Sequence, residues 1–73
     1  LPKLPVVSGK KCIKALAKLG FEVSRQKGSH ITLRREKPYG KVIVPNHKTL
    51  DRGTLKSILE QAGISVEEFV ELL

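Results

Sequence analysis

Aromatic side chains are almost missing from this chain: it has no tryptophan, two phenylalanines and one tyrosine in 73 residues. So few rings exclude the stacking platform on which sheet-based readers hold single-stranded nucleic acid. Cysteine is nearly absent too. Cys12 stands alone and cannot close an internal disulfide, and its place in an apolar helical stretch makes it a core residue before a reactive thiol. Two histidines, one cysteine and seven scattered carboxylates contain no short-spaced ligand set for zinc or magnesium, so neither a metal nor another cofactor is expected. No Gly-rich nucleotide cradle is present, because Gly28-Ser29 leads into a strand rather than a helix N-terminus. Nothing resembles a signal peptide or a membrane span, and no stretch pairs a basic face with large apolar anchors. A cytoplasmic protein with no membrane partner is expected.

Positive charge is plentiful, and its distribution says more than its sum. Residues 1–56 hold all 14 Lys and Arg against three acids, whereas residues 57–73 hold four acids and no base, for a formal net charge of +7. A basic body with an acidic tail end is the footprint of a protein that holds phosphates on one side. The length fits one small domain, in which nearly every apolar residue is needed for folding.

The hydrophobic pattern predicts a helix, three strands and two further helices. Residues 1–7, with Pro2 and Pro5, form a leader without helical period. Ser8 is positioned to cap a first helix over residues 9–19 that Gly20 ends, with Cys12, Ile13, Leu16 and Leu19 on one side and Lys10, Lys11, Lys14 and Lys18 on the other. Four lysines with no acid among them forgo the i,i+4 pairing of an ordinary solvated face, which favours a phosphate-facing stripe of Lys10, Lys14 and Lys18 over a plain one. After Gly20 the period changes to two. Phe21 and Val23 alternate with Glu22 and Ser24 in a first strand, Gly28-Ser29 makes a turn or bulge, and a second strand runs from His30 to Arg35. Pro38-Tyr39-Gly40 is expected as the next turn, before a third strand over residues 41–44. Asp51 or Thr54 caps a helix over residues 53–62, and Ser65 and Glu68 form a capping box for a short helix within residues 64–73. A sheet of this kind buries one face under the helices and leaves the other open.

The candidate chemistry lies at residues 25–35. Ile31 and Leu33 point one way in the second strand, so His30, Thr32 and Arg34 share the opposite face. An imidazole exchanges protons near neutral pH, and Arg25, Lys27 and Arg34 are placed to hold a phosphate beside it. RNA carries its own nucleophile, the 2′-hydroxyl, so a base and cations to stabilise the phosphorane suffice for transesterification without a metal. The competing reading is a solvent-exposed strand histidine in a basic protein. His47 has two readings: a general acid opposite His30, or a loop side chain that packs or binds a backbone carbonyl, the latter being preferred. Ser29 either orients the imidazole or simply fits the turn, and Lys41 and Lys48 read as solvated charge or general phosphate contacts.

The segments Ser8-Gly9, Leu19-Gly20-Phe21, Gly28-Ser29-His30, Val44-Pro45-x-His47, Gly53-Thr54-Leu55-x-x-Ile58-Leu59 and Ala62-Gly63-Ile64 occur in an order and spacing that resembles the HicA-type (YcfA-like) mRNA interferase toxins of bacterial toxin–antitoxin systems. The resemblance spans residues 6–73. It implies an α+β, double-stranded-RNA-binding-like fold with a short extra C-terminal helix, and metal-independent, histidine-dependent cleavage of mRNA. It also implies His30 as the catalytic residue, Gly28 and Ser29 as the turn that shapes its position, and a HicB-type antitoxin as protein partner. The third helix departs from the compact pattern of many members. A non-catalytic RNA-binding domain on the same scaffold is the alternative, because the lysine stripe and basic loops would serve it equally.

Overall fold

Three local signals set the helix boundaries in the computed structural model, which describes residues 3–73. The Ser8 side chain accepts the Lys11 amide at 3.1 Å and starts α1 (Gly9–Ala17). This helix is two residues shorter than the pattern predicts, because the amides of Lys18, Leu19 and Gly20 each bond three residues back and tighten the last turn. Of the two expected caps on α2 (Arg52–Ala62), Asp51 serves: its carboxylate accepts the Thr54 amide at 2.7 Å. The reciprocal Ser65–Glu68 capping box starts α3 (Val66–Leu72). Leu1 and Pro2 of the expected leader lie outside the described residues. The leader's end is packed, since Val7 is buried and its carbonyl accepts the Leu50 amide at 2.9 Å.

Strands β1 (Glu22–Lys27), β2 (His30–Glu36) and β3 (Tyr39–Pro45) form an antiparallel sheet in that order. The second turn is Lys37-Pro38 rather than the expected Pro38-Tyr39-Gly40, with Tyr39 and Gly40 already paired to Glu36 and Arg35. Gly40 is used inside the strand because the Phe21 ring lies against it, 3.0 Å from where a Cβ would sit. Helix α2 packs on β3, and α1 packs on both β3 and α3. Ile31, Leu33, Val42 and Val44 meet Leu16, Leu55 and Ile58 in the core, and α3 adds the fully buried Phe69.

One irregularity decides which side chains reach the open face. Lys27 pairs with His30, Gln26 with Ile31 and Arg25 with Thr32, but Val23 then pairs with Leu33, leaving Ser24 as an extra residue on β1. Strict alternation from Phe21 would send Arg25 and Lys27 to the core side with Val23. The bulge resets the parity, because one inserted residue exchanges the two faces. Phe21 stays buried while Arg25 and Lys27 turn to the open side with His30 and Thr32. Val23, which alternation puts on the same side as Phe21, is 58% exposed. It sits opposite Leu33 on a strand over which α1 and α2 do not chiefly pack.

Candidate active site

His30 begins β2 immediately after the two-residue turn Gly28-Ser29. Gly28 has φ of 60° and Ser29 does not enter the positive-φ region, the pattern of a type II′ hairpin turn, whose twist matches that of the strands it joins. The turn is braced from β3: the Ser29 carbonyl accepts the Asn46 amide at 2.6 Å. His30 is thereby held between Lys27 on β1 and Pro45 on β3.

Register places three rows on the open face. Lys27, His30 and Pro45 form the first; Arg25, Thr32 and Ile43 the second; Glu22, Arg34 and Lys41 the third. His30, Arg25, Lys27, Arg34 and Lys41 line one open depression of about 310 Å³, with Thr32, Ser24 and Ile43. No carboxylate lines it. Like charges gathered without a counter-charge repel one another, and a polyanion relieves that repulsion. A larger depression of about 780 Å³ lies toward the other end of the sheet, where Glu22 and Glu36 accompany Arg34, Arg35 and Tyr39. It contains no histidine, and its mixed charge suits an anion less well. Arg35 there is spent on structure: its guanidinium sits 4.4 Å from the Phe21 ring centroid and its Nε donates to the Pro38 carbonyl at 2.9 Å.

The other residues singled out from the sequence lie elsewhere. His47 lines a separate cleft with Ser8, Lys10, Asn46 and Lys48. Its carbonyl accepts the Gly9 amide at 2.9 Å, so its backbone secures the start of α1. Its imidazole is near enough to Asp51 to help hold that carboxyl below the usual range, chiefly the work of the Thr54 amide. The lysine stripe is divided. Lys10 stands beside His47, whereas Lys14 and Lys18 line a groove with Val6, Leu72 and Leu73. Lys18 donates from Nζ to the Leu72 carbonyl at 2.7 Å, closing the end of α3. Lys41, read from the sequence as solvated charge or a general phosphate contact, belongs to the His30 depression. The signal for it is the second turn: only a two-residue connection at Lys37-Pro38 brings Arg34 opposite Lys41.

Burial pushes the Cys12 thiol up to about 11, so it is not a nucleophile at neutral pH. Among the described residues no three His, Cys, Asp or Glu side chains come together as a metal site, and no helix is long and apolar enough to cross a membrane.

Over residues 9–64 the chain matches the family described as the HicA toxin of bacterial toxin–antitoxin systems. The chain belongs to the HicA toxin family. The matched span takes in α1, the whole sheet with Gly28-Ser29-His30, and α2; α3 lies beyond it. The observed order of helix, three antiparallel strands, helix and short C-terminal helix is consistent with the double-stranded-RNA-binding-like HicA fold. Membership as a toxin of a toxin–antitoxin pair implies an antitoxin partner. No curated protein matches the chain at a significant level.

Proposed function

We propose that this HicA-family chain is an endoribonuclease that cuts mRNA by acid–base catalysis at His30, needs no metal, and is silenced by a HicB-type antitoxin. The observation that carries the reading is the location of an exposed imidazole in a depression lined by four cationic side chains and no acid. Neutral His30 removes the proton from a ribose 2′-hydroxyl, and the resulting oxygen attacks the adjacent phosphorus. The P–O5′ bond breaks, the 5′-oxygen takes up a proton from the imidazolium or from water, and the products are a 2′,3′-cyclic phosphate and a 5′-hydroxyl. Arg25, Lys27, Arg34 and Lys41 hold the phosphate and stabilise the charge that grows on its oxygens. Gly28 and Ser29 set where the imidazole begins. The antitoxin covers the open sheet face and presents acidic groups to these cations, since complementary charge speeds capture of a toxic enzyme.

His30→Ala is the test. The side chain is exposed and lies on the face opposite Ile31 and Leu33, so the variant folds with unchanged stability. General acid–base catalysis is typically worth about 10²–10⁴-fold in rate, and cleavage and toxicity should fall accordingly. Wild-type cleavage should persist in EDTA. A folded His30→Ala chain that cuts RNA at the parental rate overturns the catalytic assignment. A wild-type chain that binds RNA but never cuts it makes the molecule a binding domain instead.

A further inference from the structure

We propose that the cleft beside α1, flanked by Lys10 and Lys48, is a second phosphate subsite that holds the RNA strand where it leaves His30. The inference rests on the endoribonuclease reading. The cleft and the His30 depression are separated by little more than Pro45 and Asn46: Pro45 is the register partner of His30, and Asn46 both lines the cleft and donates its amide to the Ser29 carbonyl. A strand lying over the open face therefore passes the end of β3 directly into the cleft.

The ammonium groups make the cleft anion-binding, not the helix end. Three of the first four amides of α1 are already used: Gly9 donates to the His47 carbonyl, Lys11 to the Ser8 hydroxyl and Cys12 to the Ser8 carbonyl. Lys10, His47 and Lys48 line the cleft, and no carboxylate does. Asp51, whose carboxyl feels the charge of His47, accepts the Thr54 amide. The loop that carries Lys48 is fixed at both ends, by the Asn46 amide on Ser29 and the Leu50 amide on Val7. Lys10 and Lys48 thus project from backbone that is already ordered, which lowers the entropic cost of gripping a phosphate. Lys14 and Lys18 do not share this position, since both line the groove beside Leu72 and Leu73. A subsite away from the reacting phosphate supplies binding that positions the strand for the chemical step.

The experiment measures affinity of the His30→Ala chain for a single-stranded RNA oligonucleotide across a salt series. Each phosphate neutralised on a single strand contributes about 0.7 to the slope of log K against log salt. Lys10→Gln and Lys48→Gln should each reduce that slope by about 0.7, and the double variant by about 1.4. Lys14→Gln should leave it unchanged. Both target lysines are exposed, so the variants should fold as the parent does, which circular dichroism checks. A double variant with the parental slope, while Arg25→Gln and Lys27→Gln still lower it, overturns the subsite and leaves the His30 site standing. A His30→Ala chain whose RNA binding ignores salt overturns the subsite together with the endoribonuclease reading.

Discussion

Replacing Gly9 with alanine tests how the start of α1 and the end of β3 together hold His30. Gly9 is buried, and its amide donates to the His47 carbonyl at 2.9 Å. An added Cβ would overlap the Pro45 carbonyl oxygen and lie 3.2 Å from both the Pro45 carbonyl carbon and the Asn46 Cα. All three are backbone atoms, so no side chain can rotate out of the way. Either α1 lifts from β3 or the end of β3 moves. Overpacking of this kind costs about 1–3 kcal/mol, and weakening the hydrogen bond to His47 adds about 1 kcal/mol. The better helix propensity of alanine offsets about 0.5–1 kcal/mol. The net loss is about 2 kcal/mol, which in a domain of this size lowers the melting temperature by roughly 8–16 °C. Because Pro45 pairs with His30, RNA cleavage measured well below the melt should fall as well. Thermal denaturation followed by circular dichroism reads the first effect. Gly53→Ala is the control, since its nearest neighbour is the Asp51 carboxylate at 3.6 Å and its φ is not positive. If Gly9→Ala melts at or above the parent, as Gly53→Ala is expected to do, the close approach of helix and strand is wrong.

Deleting Ser24 removes the extra residue and leaves β1 a regular strand in which Phe21 and Arg25 already fall on opposite faces with every other pair kept. Stability by urea denaturation should stay within about 1 kcal/mol of the parent, and a loss of about 3–5 kcal/mol would disprove the parity argument. Phe69→Ala should cost about 3–5 kcal/mol, because that fully buried ring anchors α3. A loss under about 1 kcal/mol would mean that α3 is only loosely attached. Cys12 should resist iodoacetamide at pH 8 until the chain unfolds, and rapid labelling of the native protein would contradict its burial. The Asp51 carboxyl is held below its usual range by the Thr54 amide. Its contribution to stability is therefore complete above the unfolded value, near pH 4, and lost as pH falls through the lowered one. Asp51→Asn, which keeps a capping oxygen, should show a shallower loss of stability on acidification; an identical profile would remove Asp51 from the pH dependence.

Features governed by neighbours in sequence were legible from the residues alone. Ser8 and the Ser65–Glu68 box cap their helices because capping is settled within four residues. Gly28-Ser29 makes a two-residue hairpin turn because one glycine supplies the positive φ. His30 faces away from Ile31 and Leu33 because side chains alternate along a strand. Long-range pairing decided the rest. No local rule announces that Ser24 is the extra residue, since a bulge exists only relative to a partner strand, yet it turns Arg25 and Lys27 toward His30. Lys41 joins the same face only through the register that the second turn imposes. The lysine stripe of α1 is divided between two clefts because the loop after β3 approaches one end of the helix and the C-terminal residues approach the other. Periodicity ranks the faces of one element; packing against distant elements determines what each face meets.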